Sequence, residues 1–336
     1  MATVGIGPSW GRRPRLPFPA RRSAPGRAES LVVAGAVAAA ETLAAPLYRR
    51  LAPNVRRIFA TMDPTLGFAA GWAHGVGAEL WVYAIDLHMV SYWRAGDFLR
   101  TRLLAWRDRA FRQATRVFAL SDGMADWLRS IGVERPLEIL PPLFPVGEPA
   151  PLPEGPLTFV MCGTVYSVNA DPLRWLERAV KDLAPDARLR LLTPTPTHVL
   201  QAAGLDVSRW SVEAVPTSAV AAEVGRATWG VIGVDSGRSE DAERVAWPTK
   251  LREYLSVGRP VLCISRPEYA VARMVAANPW GIFASGEAET RAAVTRIANE
   301  SRATLQARAE AAHRFAREQI DDRKIGAAIR KELCAP

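Results

Sequence analysis

At 336 residues the chain has room for about two domains of ~150 residues each, and 49% hydrophobic against 23% charged residues is the balance of a soluble globular protein with a full core. The formal charge of +9 rests on 39 arginines and four lysines; six of those arginines (Arg12, Arg13, Arg15, Arg21, Arg22, Arg27) crowd the first 27 residues, and no RNA-recognition, zinc-finger or helix-turn-helix signature accompanies them, so a nucleic-acid role is disfavoured. Three scattered cysteines, Cys162, Cys263 and Cys334, give neither a disulfide framework nor a metal cluster, and no run reaches the ~18 apolar residues of a spanning helix, which together point to the cytoplasm.

Residues 1–29 are rich in Pro, Arg and Gly and read as a disordered basic leader, or as translation begun too far upstream. Its arginines suit peripheral contact with an anionic membrane surface, at the inner face. The run Leu31–Ala40 is bracketed by Glu29 and Glu41 and is taken as an element of a first domain, over 30–145, rather than a signal-peptide core. From Arg57 strands and helices alternate: strand Arg57–Met62, helix Pro64–His74, strand Leu80–Ile85, helix Asp97–Ala114 and strand Arg116–Leu120. Ser121 caps a helix Asp122–Ile131 that Gly132 ends, and strand Leu137–Leu140 follows. Apolar runs separated by helices predict a parallel sheet covered on both faces.

Residues 141–156 hold seven prolines and two glycines, and a Pro-rich linker is placed at 146–156. A second alternation fills 157–300: strand Leu157–Cys162, helix Asp171–Leu183, strand Arg188–Leu192, helix Thr197–Ala203, strand Trp210–Val215, helix Ser218–Ala227 and strand Gly230–Val234. Then come helix Thr249–Val257, strand Pro260–Ile264, helix Ala270–Ala277, strand Gly281–Ala284 and helix Ala288–Asn299, with an amphipathic helix Glu310–Arg330 in a terminal segment 301–336. The fold class is α/β, two Rossmann-like βαβ domains facing across a cleft. In such sheets ligands bind beyond the carboxyl ends of the strands.

The strongest local signal is Trp247-Pro248-Thr249-Lys250-Leu251-Arg252-Glu253-Tyr254-Leu255-Ser256-Val257-Gly258-Arg259-Pro260-Val261-Leu262. A helix start offers free N–H groups and a positive dipole end, which suits a phosphate, and Lys250 adds a full charge there. Glu253 lies three residues after Lys250 and four after Thr249, so the three share a face. A carboxylate so placed can accept two hydroxyl hydrogen bonds, as a ribose offers. A capped helix with a Lys–Glu surface pair explains the same residues equally well.

The stretch resembles the donor-site helix of family-4 glycosyltransferases and their GT-B relatives, Pro-(Ser/Thr/Asn)-Lys-x-x-Glu-Tyr-x-x-x-Gly-x-Pro-Val. The resemblance implies that Lys250, with Thr249, meets the sugar-nucleotide diphosphate and that Glu253 holds the ribose. The glutamate that the family often carries eight positions before Glu253, facing the donor sugar, is Val245 here. Phe159-Val160-Met161-Cys162-Gly163-Thr164-Val165 resembles the first strand and loop of the family's second domain, which puts Gly163 and Thr164 against the phosphates. The Arg…Lys pair many members place after that loop is missing, since Arg174 and Lys181 sit too far along the next helix. Trp81-Val82-Tyr83-Ala84-Ile85-Asp86-Leu87-His88 resembles the strand on the acceptor side, which makes Asp86 and His88 the candidate catalytic groups; a structural loop histidine accounts for His88 as well.

Implied is a transferase that moves a sugar from a nucleoside-diphosphate sugar to a glycan, lipid-linked or small-molecule acceptor, with retention, no metal and no cofactor. An inactive GT-B nucleotide-binding scaffold and a sugar-nucleotide epimerase are the alternatives. The first domain is about half a Rossmann unit shorter than its relatives' at the front.

Overall fold

The computed structural model describes residues 50, 54–61, 66–85, 105, 107–235 and 244–335. The chain divides into two compact units, Met1–Leu140 with Arg330–Pro336, and Pro141–Ile329.

In the first unit, strands β1 (Arg57–Thr61), β2 (Glu79–Ala84), β3 (Arg116–Ala119) and β4 (Leu137–Ile139) form a sheet in sequence order, each pair parallel. Helix α1 (Leu66–Val76) joins β1 to β2, and α2 (Asp122–Ser130) joins β3 to β4. Residues 107–113 are helical, within the helix expected over Asp97–Ala114. Ser121 caps α2 as expected, its Oγ accepting the Met124 N–H at 3.1 Å. Register separates the two faces of this sheet. Ile58, Ala60, Leu80, Val82, Ala84, Val117 and Ala119 make an aliphatic buried face. The opposite face carries Phe59, Trp81, Tyr83 and Phe118, in tilted contacts with ring centroids 5.9–6.4 Å apart. Arg116 lies 4.6 Å from the Trp81 ring centroid, forks onto Glu138 and also pairs with Glu332. Arg57 donates to the Glu332 and Ala335 carbonyls, so the chain's last turn is tied to this face.

The second unit holds six parallel strands: β5 (Thr158–Cys162), β6 (Arg188–Leu192), β7 (Trp210–Glu213), β8 (Trp229–Val234), β9 (Val261–Ser265) and β10 (Gly281–Ala284). Their spatial order is β10-β9-β8-β5-β6-β7. This is the doubly wound order, with a reversal between β5 and β8. Both central strands and β9 are almost wholly buried, hence their unbroken apolar runs. The connecting helices are α3 (Ser167–Leu183), α4 (Thr197–Ala202), α5 (Val220–Gly225), α6 (Thr249–Ser256) and α7 (Ala270–Ala276). After β10 come α8 (Gly286–Ala298), which packs on α3, and α9 (Arg302–Gln319), which packs on α6. Helix α10 (Ala327–Leu333) follows a short π-helical stretch.

The terminal helix differs from the single Glu310–Arg330 element expected. It starts at Arg302, where the Ser301 hydroxyl accepts the Thr304 N–H, and stops at Ile320. There the chain pairs with Phe144: the Phe144 N–H donates to Ile320 O and the Asp322 N–H to Phe144 O. Asp321 then accepts the Arg323 N–H and starts the next turn. The Pro-rich segment is strapped onto the same unit. Arg259, fully buried, donates to Ala150 O and Pro151 O, and Arg302 to Leu152 O and Pro153 O. Among the described residues no helix is long and apolar enough to cross a membrane.

Candidate functional site

The reversal between β5 and β8 opens the sheet at its carboxyl end. These two strands pair only at Phe159–Trp229 and Val160–Gly230, whereas β5 pairs with β6 over five residues. A splay of this kind is where doubly wound sheets bind their ligands. Three segments meet its rim.

The first is the loop after β5. Gly163 has φ +91, a conformation side chains rarely adopt, and a Cβ there would meet nothing within 4 Å. Gly163 and Thr164 are both exposed. The loop is nonetheless held: Gly163 N–H donates to Leu192 O, and Val165 N–H donates to Thr195 Oγ1 at 3.0 Å.

The second is the start of α3, one turn earlier than the Asp171 expected from sequence. Asn169 is buried; its Oδ1 accepts the Tyr166 N–H at 2.8 Å and its Nδ2 donates to Gly233 O at 2.5 Å. Pro172 sits inside the helix and brings no N–H. The Val168 carbonyl, four residues before it, is thereby free and accepts the Asp235 N–H at 2.7 Å. Gly233 has no side chain because a Cβ there would meet Pro172 Cβ at 2.8 Å. Thus α3 is stitched to the end of β8. Nothing in the local pattern announces this, and Pro172 within an otherwise helical run is the one signal that could have.

The third is α6. Pro248 occupies its N-cap with no side-chain hydrogen bond, so the Thr249 and Lys250 N–H groups lack intrahelical acceptors. Thr249 is exposed, Lys250 and Glu253 are half-buried. The Lys–Glu surface pair does not form. Glu253 instead has Arg252 beside it, with Nε 3.6 Å from Oε1, an ion pair too long for a hydrogen bond. Arg252 in turn lies 5.0 Å from the Phe144 ring centroid. Among the described residues Lys250 has no hydrogen-bond or ion-pair partner. Burial pulls its ammonium down to about 8. Burial likewise raises the Glu253 carboxyl, with Arg252 opposing. The Cys162 thiol, buried at the end of β5, is raised by burial and feels both Lys250 and Glu253, which places all three groups at one rim. The structure therefore brings Gly163, Lys250 and Glu253 together, with Thr164 and Thr249 beside them in the chain.

Other expectations fall differently. Asp86 and His88 lie outside the described residues. Val245, where the resemblance leads one to look for a glutamate, is buried. Arg174 is engaged by Asp171 and donates to Ala203 O at 3.0 Å. Asp235, just past β8, was not singled out from sequence; it accepts from Arg266 Nε at 2.9 Å, joining the ends of β8 and β9. A cavity of about 580 Å³ lies away from this rim, between Pro149–Leu152 and α9, and is lined by both signs of charge.

A scan of protein-family models finds no match, and a search of curated proteins finds none. Solved structures match in fold. HepE of Anabaena, solved with UDP and glucose, superposes with a TM-score of 0.61 over 87% of this chain and 81% of its own, at 13% identity. Sucrose-phosphate synthase of Thermosynechococcus elongatus gives 0.59 over 87% and 77%, at 12% identity. The lipopolysaccharide outer core galactosyltransferase WaaB in its apo form gives 0.55 over 91% and 80%, at 13% identity. At such identities the likeness establishes the fold, which is that of the GT-B glycosyltransferases, as the motifs implied.

Proposed function

We propose that this chain is a glycosyltransferase that takes a sugar from a nucleoside diphosphate, and that the rim of the second sheet is its donor site. The observation that carries the reading is Lys250: a desolvated ammonium with no carboxylate partner among the described residues, at a helix start, beside an exposed glycine loop at the strand reversal. An uncompensated cation in such a place is costly to the fold, and a diphosphate would relieve the cost. The α6 N–H groups and Lys250 would stabilise charge on the leaving diphosphate, which is electrostatic rather than covalent catalysis. Glu253 would accept ribose hydroxyls. Transfer with retention, without a metal, to a glycan, lipid-linked or small-molecule acceptor remains the finer part of the proposal, with Asp86 and His88 as its catalytic candidates. The neighbour HepE was solved with UDP-glucose, so uridine nucleotide sugars are the first donors to try.

Incubation with UDP-glucose and other UDP- and GDP-sugars, following nucleotide release, tests the reading. Release that Lys250→Ala abolishes supports it, and release that Lys250→Ala leaves unchanged removes it. Buried Val245 favours a second reading, a GT-B scaffold that binds nucleotide without turnover. Binding of UDP or GDP by calorimetry, with no turnover of any donor, selects that one.

A further inference from the structure

Strand β8 carries glycines at 230 and 233, on opposite faces of the sheet because their separation is odd. Gly233 seats Pro172. Gly230 seats Tyr254 of α6: a Cβ at 230 would lie 2.4 Å from the ring's Cγ. The ring is fully buried, and its hydroxyl sits in the splay between β5 and β8. Tyr254 Oη accepts the Cys162 N–H at 3.1 Å and donates to Val231 O at 3.0 Å. One phenol thus replaces the ladder bonds the two strands lack beyond Val160 and Gly230. Burial raises its pKa, which keeps it neutral and able to do both.

The same phenol belongs to the helix that presents Lys250 and Glu253. Lys250 is one turn before Tyr254, on the same face, and Glu253 precedes it directly. Helix α6 has only eight residues and no side-chain cap at its start. Among the described residues Lys250 has no partner to fix it, so the helix places it. We propose that Tyr254, seated on Gly230, is a positioning residue: its two hydrogen bonds set the height and rotation of α6 over the open end of the sheet and so aim Lys250 into the rim. This rests on the reading of the rim as a nucleotide site.

The test uses Tyr254→Phe, which keeps the ring and removes the hydroxyl. Val294→Ala, on α8 in the core on the opposite face of the same sheet, serves as a comparator for general destabilisation. With four lysines in the chain, the Lys250 side-chain resonance can be followed by NMR on lysine-labelled protein, together with UDP affinity and Tm. In Tyr254→Phe the Lys250 titration should move up from about 8 toward the ordinary lysine range. UDP affinity should fall about tenfold, the worth of one or two lost hydrogen bonds. Gly230→Ala should reproduce both effects, and Val294→Ala neither. The proposal is overturned if Tyr254→Phe loses Tm yet keeps the wild-type affinity and Lys250 titration, or if Val294→Ala moves them equally. Should the wild type bind neither UDP nor GDP, the nucleotide reading fails separately. The positioning role is then decided by the titration alone, and an unmoved Lys250 overturns it.

Discussion

The two sheets are made from the same repeating unit, and they treat charge in opposite ways. In the first, the described strands follow sequence order β1-β2-β3-β4, so no reversal opens the sheet. The cations on its aromatic face are answered: Arg57 by Glu79, and Arg116 by Glu138 and Glu332. In the second, the order reverses at β5 and β8, the strands splay, and the cation at the rim, Lys250, has no partner among the described residues. Paired charges on a closed face serve the fold. An unpaired, desolvated charge at an open strand end costs stability and is the place where a ligand's charge belongs.

The largest expected effect that would sharpen this contrast is at Lys250. Lys250→Met should weaken UDP or GDP binding by about 100-fold, the scale of a charge-assisted contact to phosphate. The same change should raise stability at pH 7 by roughly 1–3 kcal/mol, since it removes a half-buried, desolvated ammonium. Calorimetric titration and thermal melts check both; a variant that binds normally breaks the contrast.

The pH dependence has a definite sign. Nucleotide binds the charged ammonium, whose free-state pKa is about 8. Affinity should therefore be flat below pH 8 and fall as pH rises above it, by up to roughly tenfold per unit. Stability moves the other way. The folded value is depressed from 10.5 to about 8, so the unfolded chain binds more protons in that window. The wild type should gain stability relative to Lys250→Met as pH rises from 8 to 10.5, and a constant difference would contradict the assignment.

Smaller effects follow. Glu253→Gln should cost about tenfold in UDP affinity if one charged hydrogen bond to ribose is lost, and almost nothing with 2′,3′-dideoxy-UDP. Equal losses on both would remove the ribose role. In the first unit, Arg116→Ala should lower stability by roughly 1 kcal/mol, because its ion pairs are partly exposed, and leave nucleotide affinity unchanged. A loss of affinity there would show that the first sheet's charges are not purely structural.

Much of this was legible in the sequence. The buried runs TFVMC, WGVIGV and VLCIS, broken by amphipathic helices, announce a parallel sheet, and PTKLREYLSVGRPV announces a helix that stops at Gly258. Other features arise from long-range partners and leave no local trace. The break at Ile320 depends on pairing with Phe144, 176 positions away in sequence. The seats at Gly230 and Gly233 exist because Tyr254 and Pro172 arrive from two different helices, and a pattern of glycines in a strand does not say what will lie against them. Whether Lys250 pairs with Glu253 was undecidable from their spacing. It turns on Arg252, whose side chain lies against Phe144 and beside the glutamate.

The central claim is that nucleotide binds where the strand order reverses. Amide hydrogen exchange with and without UDP measures this directly. Protection should appear at 163–169 and 249–253, be absent from strands β1–β4, and vanish in Lys250→Met. Protection confined to the first sheet or to the groove between Pro149–Leu152 and α9, or none anywhere at saturating UDP and GDP, would contradict it.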